Sequence, residues 1–252
     1  LFFLLSSPPG SAQTPGPEQE DVAFTASDGT SVFGTWFRTP IERSAIILAF
    51  HQGGASGIAE YAPIVPRLIA EGYDVLVVDL RAGGSRFGGT NRTVQTRGGE
   101  AEYCEAAPDL AGALDLAEAE SHGTPIIRGG SSFSAALVLR LAAAEGPGLA
   151  GVLAFSPASG GPMVECRGED VSEGITVPVL ALRPVSEMEL QSSRDQFGLF
   201  RSQGHATFIA DPGTHGSSML VEDRVDGPTR STWEVVLEFI RSAVGPGGYG
   251  AR

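Results

Sequence analysis

The chain has 252 residues, of which 42% are hydrophobic, and it carries a formal net charge of -13. This length and apolar content suit one α/β domain with a single core. The acidic balance argues against nucleic acid or an anionic membrane as a partner, because both require clustered cations. All 17 basic residues are arginine. Mechanisms that need a lysine amine, such as a Walker P-loop or a pyridoxal Schiff base, are therefore excluded.

The first residues, LFFLLSSPPGSAQ, have the features of the end of a secretory signal peptide. A short apolar run is followed by a Ser/Pro stretch and then by small residues. The apolar run is too short to span a bilayer, so no transmembrane span is predicted. We expect residues 1–20 to be a partial signal peptide and a polar linker, and residues 21–252 to form the domain. The protein is then exported from a bacterial-type cell, to the periplasm, envelope or medium; a disordered N-terminal extension is the alternative.

The predicted elements begin with an antiparallel hairpin, made of the strands Asp21–Ala26 and Ser31–Phe37 around a Gly-bearing turn. Strands and helices then alternate, and the strands are short apolar runs flanked by Gly and Pro. The further strands are Ala45–Phe50, Tyr73–Asp79, Pro125–Arg128, Gly151–Phe155, Val177–Leu182 and Ala206–Ala210, and the helices are Ile58–Ala70, Glu102–Glu120, Phe133–Ala144, Glu189–Ser202 and Thr232–Ala243. This order predicts an α/β fold with a mostly parallel sheet of about eight strands and helices on both faces. Functional groups should then collect at the carboxyl ends of the strands.

A candidate nucleophile lies in the segment PIIRGGSSFSAALVLRL, residues 125–141, which predicts a strand, a tight turn and a buried helix. Ser132 stands at the apex of the turn, between Gly130 and Ser134. Such a turn needs small residues because the strand and helix backbones nearly touch, and it exposes one hydroxyl above the sheet edge. The pattern is Gly-x-Ser-x-Ser instead of the usual Gly-x-Ser-x-Gly. Ser132 is the predicted nucleophile.

A candidate base can be chosen by elimination among the four histidines. His122 and His205 precede predicted strands and therefore fall at the wrong edge of the sheet. His51 ends a strand but lies upstream of the turn, where we expect it to shape a loop. His215 follows the last strand in the loop DPGTHGS, whose glycines allow an imidazole to reach across the sheet edge. We predict that His215 is the general base.

A third group should orient this imidazole and stabilise its charged form, and it should follow a strand that lies between the nucleophile and the base. Glu187 closes the loop after the predicted strand Val177–Leu182 and is the predicted acid. Glu189 and Asp195 are rivals, although both fall in the region of the predicted helix that follows, where acidic residues usually face solvent.

The order Ser132, Glu187, His215 along the chain is the order found in α/β-hydrolases and differs from those of chymotrypsin and subtilisin. Together with the motif HQGG after the strand Ala45–Phe50, it makes the chain resemble the α/β-hydrolase superfamily from about residue 21 to residue 243. The resemblance is greatest to compact, lid-poor members similar to dienelactone hydrolases, and it implies a fold without a large lid. Dienelactone hydrolases carry a cysteine nucleophile, so their substrate is not carried over.

The resemblance also implies an oxyanion hole of two backbone N–H groups. One comes from Gly53 or Gln52 in the HQGG motif, and the other comes from Phe133, the residue after the nucleophile. A dinucleotide-binding loop is the rival interpretation of this glycine-rich segment. It fails because Gln52 stands where the first glycine of the G-x-G-x-x-G pattern belongs.

These residues predict hydrolysis of a small-molecule carboxylic ester through an acyl-enzyme. Peptidase, thioesterase or lactonase activity would use the same groups. A second hypothesis is an exported binding protein on a hydrolase scaffold that has lost turnover, and the unusual Ser134 favours it. No metal or organic cofactor is predicted, because no cluster of His, Cys or Asp has ligand spacing.

Two further segments follow the ends of predicted strands, at the edge of the sheet where the candidate site is expected. Cys104 and Cys166 suit one disulfide in an oxidising compartment, and the bridge would tie a loop over the pocket in place of a lid.

The arginines of the segment after Asp79 either meet an acidic substrate or, as we expect, belong to a loop that is held together by Asp79. They are Arg81, Arg86 and Arg92.

Overall fold

The computed structural model describes residues 18–144 and 149–245. The predicted signal peptide, residues 1–13, lies outside the described residues, whereas residues 18–20 of the predicted linker begin the first strand. The described residues contain eight strands in a single sheet, and none of their helices is long and apolar enough to cross a bilayer. The strands are β1 (Glu18–Thr25), β2 (Ser31–Arg38), β3 (Ala45–Phe50), β4 (Tyr73–Asp79), β5 (Ile126–Ser131), β6 (Leu149–Phe155), β7 (Val179–Pro184) and β8 (Ala206–Ala210). The helices are α1 (Gly57–Tyr61), α2 (Val65–Ala70), α3 (Arg92–Arg97), α4 (Ala107–Ser121), α5 (Phe133–Ala144), α6 (Gln191–Ser202) and α7 (Arg230–Val244).

The sheet is mostly parallel, and its strand order is β1-β2-β4-β3-β5-β6-β7-β8. β2 runs antiparallel to both β1 and β4, whereas the strands from β4 to β8 along the sheet are parallel to one another. Every residue of β3 and β4 is buried, because helices cover both faces. This is why those strands are continuous apolar runs in the sequence. The predicted fold class is confirmed.

The core has two layers, one on each face of the sheet. On one face, α4, α5 and α6 pack against the sheet through residues such as Leu110, Leu139 and Phe200. On the other face, α1, α2 and α7 do so through residues such as Leu68 and Trp233. Helix α5 follows β5 directly and is buried along most of its length, so the turn between them is fixed from both sides.

Two predicted helices have different bounds in the structure. The predicted helix Ile58–Ala70 is divided into α1 and α2, because Pro63 has no backbone N–H with which to continue the hydrogen bonds of α1. The predicted helix Glu102–Glu120 begins with the 3-10 turn Tyr103–Ala106 and becomes α-helical at Ala107, with Pro108 in its first turn. Short helix α3 was not predicted at all.

Candidate active site

The turn between β5 and α5 has the sharp geometry that the sequence predicts. Ser132 has a φ of 62°, in the left-handed region, which costs a non-glycine residue about 1–3 kcal/mol and persists only where neighbouring groups hold it. Here the Ser132 N–H donates to Phe155 O at 2.8 Å, and the Ser132 carbonyl accepts from Ala158 N at 3.1 Å. Its side chain is half-buried. The end of β6 therefore holds Ser132 at the carboxyl edge of the sheet.

Small residues on both sides of Ser132 are required by contact between strand and helix. A Cβ at Gly130 would lie 2.5 Å from the carbonyl oxygen of Ser134 and 2.7 Å from the Cα of Ala135. Ser134 is fully buried, and its Oγ accepts from Ser131 N at 2.8 Å. The same Oγ lies 2.9 Å from the carbonyl oxygen of Phe50 at the end of β3. The serine that departs from the usual pattern thus links the turn to the neighbouring strand.

Replacing Ser134 by Ala should lower the free energy of unfolding by about 1–3 kcal/mol, because the Ser131 N–H would be left buried without its acceptor. Urea denaturation of the variant and the wild type measures this difference. The control is Ser192→Ala at an exposed position of α6, which should change stability by less than about 0.5 kcal/mol. Equal stability of Ser134→Ala and the wild type would show that these hydrogen bonds do not hold the turn.

Glu187 and His215 are brought together from two different loops. Glu187 lies in the 3-10 turn Val185–Glu189 after β7, and His215 lies in the loop after β8. His215 Nδ1 is 2.5 Å from Glu187 Oε1. The two rival acids lie elsewhere: Glu189 is exposed, and Asp195 is an exposed residue of α6 whose carboxylate accepts from Gln191.

The loop that carries His215 is attached directly to the strands beside Ser132. Gly216 N donates to Ser156 Oγ at 3.1 Å, and Ser217 N donates to Ser131 Oγ at 3.0 Å. Among the hydrogen bonds of residues 18–144 and 149–245, none joins the Ser132 hydroxyl to the His215 ring. Such bonds are often long without a bound substrate. The loop that carries His215 is nevertheless hydrogen-bonded to Ser131, the residue before Ser132 in the chain.

Glu187 has a second partner that sequence reasoning missed. Arg183, at the end of β7, donates from Nη1 to Glu187 Oε2 at 2.5 Å. Burial raises the pKa of Glu187. The hydrogen bond from His215 and the charges of His215 and Arg183 together lower it by more than burial raises it, so the pKa lies below its ordinary value. Arg183 is itself held by the carbonyl of Pro157 and by Gln196 Oε1 at 2.6 Å. The carboxylate beside His215 is therefore ionised at neutral pH.

The motif HQGG forms the loop after β3, where a buried carboxylate determines which N–H groups are free. Gln52 N donates to Glu60 Oε2 at 2.7 Å, so that N–H is already used inside the protein. Of the two residues predicted to supply the first N–H of the oxyanion hole, Gly53 is thus the one that the geometry favours. The second predicted donor, Phe133 N, opens α5, where an N–H has no intrahelical acceptor.

Glu60 also contacts the loop of His215. Ser217 Oγ donates to Glu60 Oε1 at 2.6 Å, and Glu60 is fully buried on α1. The two oxygens of one carboxylate therefore join the loop after β3 to the loop after β8. No sequence signal marks Glu60, since acidic residues on helices usually face solvent. Arg183 had a weak signal, because it directly follows the apolar run of a strand.

The other histidines lie where they were expected. His51 is buried; its Nε2 accepts from Leu80 N at 2.9 Å, so its proton is on Nδ1, 2.8 Å from the carbonyl of Gln52. It shapes the loop, as predicted. His122 ends α4 with a φ of 50°, and His205 precedes β8 with Nε2 2.9 Å from the carbonyl oxygen of Ser172. Neither belongs to the candidate site.

Two of the three arginines after β4 have structural partners. Arg81 is buried and pairs with Asp28 and Asp109. Arg92 pairs with Asp79 at 2.8 Å and with Asp21 at 2.8 Å. The remaining one, Arg86, is exposed. Asp79 thus holds Arg92, as we expected, whereas Arg81 is held by carboxylates outside the segment.

Cys104 and Cys166 form a disulfide, with their Cα atoms 5.7 Å apart and 62 positions apart in the chain. The bridge joins the 3-10 turn Tyr103–Ala106 to the irregular segment after β6. No group of three or more His, Cys, Asp or Glu in the described part of the chain could hold a metal ion.

Comparison with known proteins was made at the levels of sequence and structure. A sequence model of the family described as serine aminopeptidase, S33, matches residues 41–185. No curated protein matches the chain.

Several solved structures share the fold. An esterase of Pyrococcus furiosus has a TM-score of 0.69 at 17% identity, with 91% of this chain and 92% of that chain covered. An α/β hydrolase of a Penicillium species has a TM-score of 0.67 at 14% identity, with 90% and 99% covered. An acylaminoacyl peptidase of Pyrococcus horikoshii has a TM-score of 0.64 at 14% identity, with 94% of this chain but 44% of that chain covered.

Proposed function

The chain belongs to the S33 serine aminopeptidase family of the α/β-hydrolases, and on this basis we propose that it is a serine hydrolase that cleaves a small-molecule carboxylic ester. Ser132 is the proposed nucleophile, His215 the general base and Glu187 the acid that orients the base. Peptidase, thioesterase and lactonase activities use the same groups and differ in the bond that the pocket admits.

The proposed reaction has two half-reactions. Ser132 Oγ attacks the carbonyl carbon while His215 Nε2 takes its proton, and the negative charge on the former carbonyl oxygen is received by the N–H groups of Phe133 and Gly53. The tetrahedral intermediate expels the alcohol, which takes the proton from His215. Water then attacks the acyl-enzyme while His215 takes its proton, and the acid leaves as Ser132 Oγ receives that proton from His215.

The hydrogen bond between Glu187 and His215 carries this proposal. Because Nδ1 of His215 faces Glu187 at 2.5 Å, the other ring nitrogen, Nε2, is the one left to accept the serine proton. An ionised carboxylate at this place stabilises the imidazolium that forms during the reaction. The positive φ of Ser132 supports the same function, since strained backbone of this kind is concentrated at functional sites.

The disulfide between Cys104 and Cys166 supports export of the protein, because such bridges persist outside the reducing cytosol. We therefore propose a periplasmic, envelope or extracellular location. The substrate is then a small molecule that is met outside the cytosol.

Covalent labelling of the purified protein with a fluorophosphonate probe tests the proposed nucleophile. Cleavage after arginine releases residues 129–140, GGSSFSAALVLR, and fragmentation of this peptide by mass spectrometry locates the label. We expect the label on Ser132, because only an activated hydroxyl reacts at a useful rate. Heat-denatured protein is the control and should stay unlabelled. A label on Ser131 or Ser134 contradicts the assignment, and no label at all favours a binding protein without turnover.

A further inference from the structure

Tyr103 contacts both residues that supply the proposed oxyanion donors. Its ring stacks on the ring of Phe133, with centroids 4.6 Å apart and an interplanar angle of 15°. Its hydroxyl oxygen lies 2.4 Å from the point that a Cβ of Gly53 would occupy. A side chain at position 53 would therefore displace the phenol of Tyr103. The Tyr103 hydroxyl therefore lies beside the backbone of Gly53, at the edge of the proposed oxyanion hole.

The hydroxyl of Tyr103 is a donor without an acceptor among residues 18–144 and 149–245. Its side chain is only half-buried, and the described residues provide it with no hydrogen bond. A fully buried tyrosine hydroxyl normally finds a partner inside the protein. The other tyrosine near this loop, Tyr61, follows the rule and donates to the carbonyl of Phe50 at 3.0 Å. The free hydroxyl of Tyr103 is thus available to a bound molecule.

Tyr103 is also held firmly in place. It opens the 3-10 turn Tyr103–Ala106, and the next residue, Cys104, is bridged to Cys166. The start of the turn is capped by Glu105, whose Oε2 accepts from Glu102 N at 3.1 Å. A donor fixed in this way needs no reorganisation when negative charge develops on the substrate, and this is the property that makes oxyanion donors effective.

We propose that the Tyr103 hydroxyl is a third hydrogen-bond donor to the substrate carbonyl oxygen as it becomes an oxyanion. This inference rests on the proposed serine hydrolase function and extends it. Tyr103 is then a catalytic residue that acts beside the N–H groups of Gly53 and Phe133. The disulfide acts through it by fixing the turn on which it stands.

The test is Tyr103→Phe, which removes the hydroxyl and keeps the ring on Phe133. We expect kcat for p-nitrophenyl butyrate to fall by about 10²-fold, while KM changes little, because the lost bond is made chiefly in the transition state. Affinity for a trifluoromethyl ketone, which forms a tetrahedral oxyanion on the serine, should fall by a similar factor. The matched control is Tyr73→Phe. Tyr73 is the first residue of β4 and therefore lies at the edge of the sheet opposite the candidate site, so this variant should keep wild-type kcat and ketone affinity.

Two outcomes overturn the inference, and they are distinguishable. If the wild type hydrolyses the ester through Ser132 but Tyr103→Phe keeps its kcat and its affinity for the ketone, then this inference fails and the proposed function stands. If the wild type neither turns over esters nor binds the ketone covalently, then the proposed function fails, and the inference fails with it.

Discussion

Replacing Ser132 by Ala lowers kcat for p-nitrophenyl acetate and butyrate by about 10⁶-fold, the loss seen when the nucleophile of a comparable triad is removed. The proposed route depends on a covalent bond to Ser132 Oγ, and water in the same pocket lacks both its position and its activation. Alanine keeps the small size that the turn requires between Gly130 and Ser134. The variant should therefore fold, and its rate reports chemistry alone. Steady-state hydrolysis of both esters measures the effect.

The control for this variant is Ser242→Ala, an exposed position on α7, which should keep the wild-type rate. Equal rates in Ser132→Ala and the wild type would remove Ser132 from the mechanism. Absence of turnover in the wild type itself would favour the binding-protein hypothesis.

Glu187→Gln should lower kcat by about 10⁴-fold and leave KM nearly unchanged, by analogy with the loss of the acid in a Ser-His-Asp triad. The structure gives a specific reason for this. Arg183 Nη1 donates to one oxygen of Glu187, so the amide oxygen of glutamine would turn towards Arg183. The amide nitrogen would then face His215 Nδ1 and donate to it, which places the ring proton on Nε2. In that tautomer His215 cannot accept the proton of Ser132.

Glu189→Gln is the matched control, because Glu189 ends the same 3-10 turn but is exposed, and it should keep the wild-type kcat. A second readout is stability. The pKa of Glu187 in the fold is lowered, so its ionised form stabilises the fold at neutral pH, and this contribution is lost as the pH falls through that lowered pKa. The stability difference between the wild type and Glu187→Gln should therefore narrow in acid. Equal losses of kcat in Glu187→Gln and Glu189→Gln would exclude the assigned acid.

Local sequence patterns were sufficient to predict the fold class and the loops of the candidate site. The turn around Ser132 has a pattern of small residues, and β3 and β4 are apolar runs whose bounds match the prediction. His215 was found by its place after a strand. Each of these signals lies within a few neighbouring residues. The backbone conformation and burial that it predicts depend on that segment alone, so one stretch of sequence is enough to recognise it.

Contacts between distant segments could not be predicted in the same way. Glu60 and Ser217 are 157 positions apart, and only the folded sheet brings them together. For the same reason, the sequence could not choose between Gln52 and Gly53 as the proposed first oxyanion donor, because the choice depends on the acceptor of Gln52 N. The pairing of Arg183 with Glu187 depends on how the turn after β7 folds back on its strand.

The binding-protein hypothesis has lost the observation that favoured it. Ser134 was the one departure from the usual pattern around a nucleophilic serine. In the structure its hydroxyl is buried and fully used, accepting from Ser131 N and lying within hydrogen-bond distance of Phe50 O. A serine with these contacts supports the turn, so its presence is no sign of a degraded site.

The carboxylate of Glu60 has a consequence for anyone who wishes to exchange loops around the candidate site of this protein. Because it accepts from both Gln52 N and Ser217 Oγ, the two loops behave as one exchangeable unit. Grafting a loop after β8 that lacks a hydroxyl at the position of Ser217 would leave one oxygen of the buried Glu60 side chain without its donor, at a cost of about 1–3 kcal/mol. The exposed residues Val164, Val185 and Leu190, which follow β6 and β7, have no part in that unit and can be varied without disturbing it.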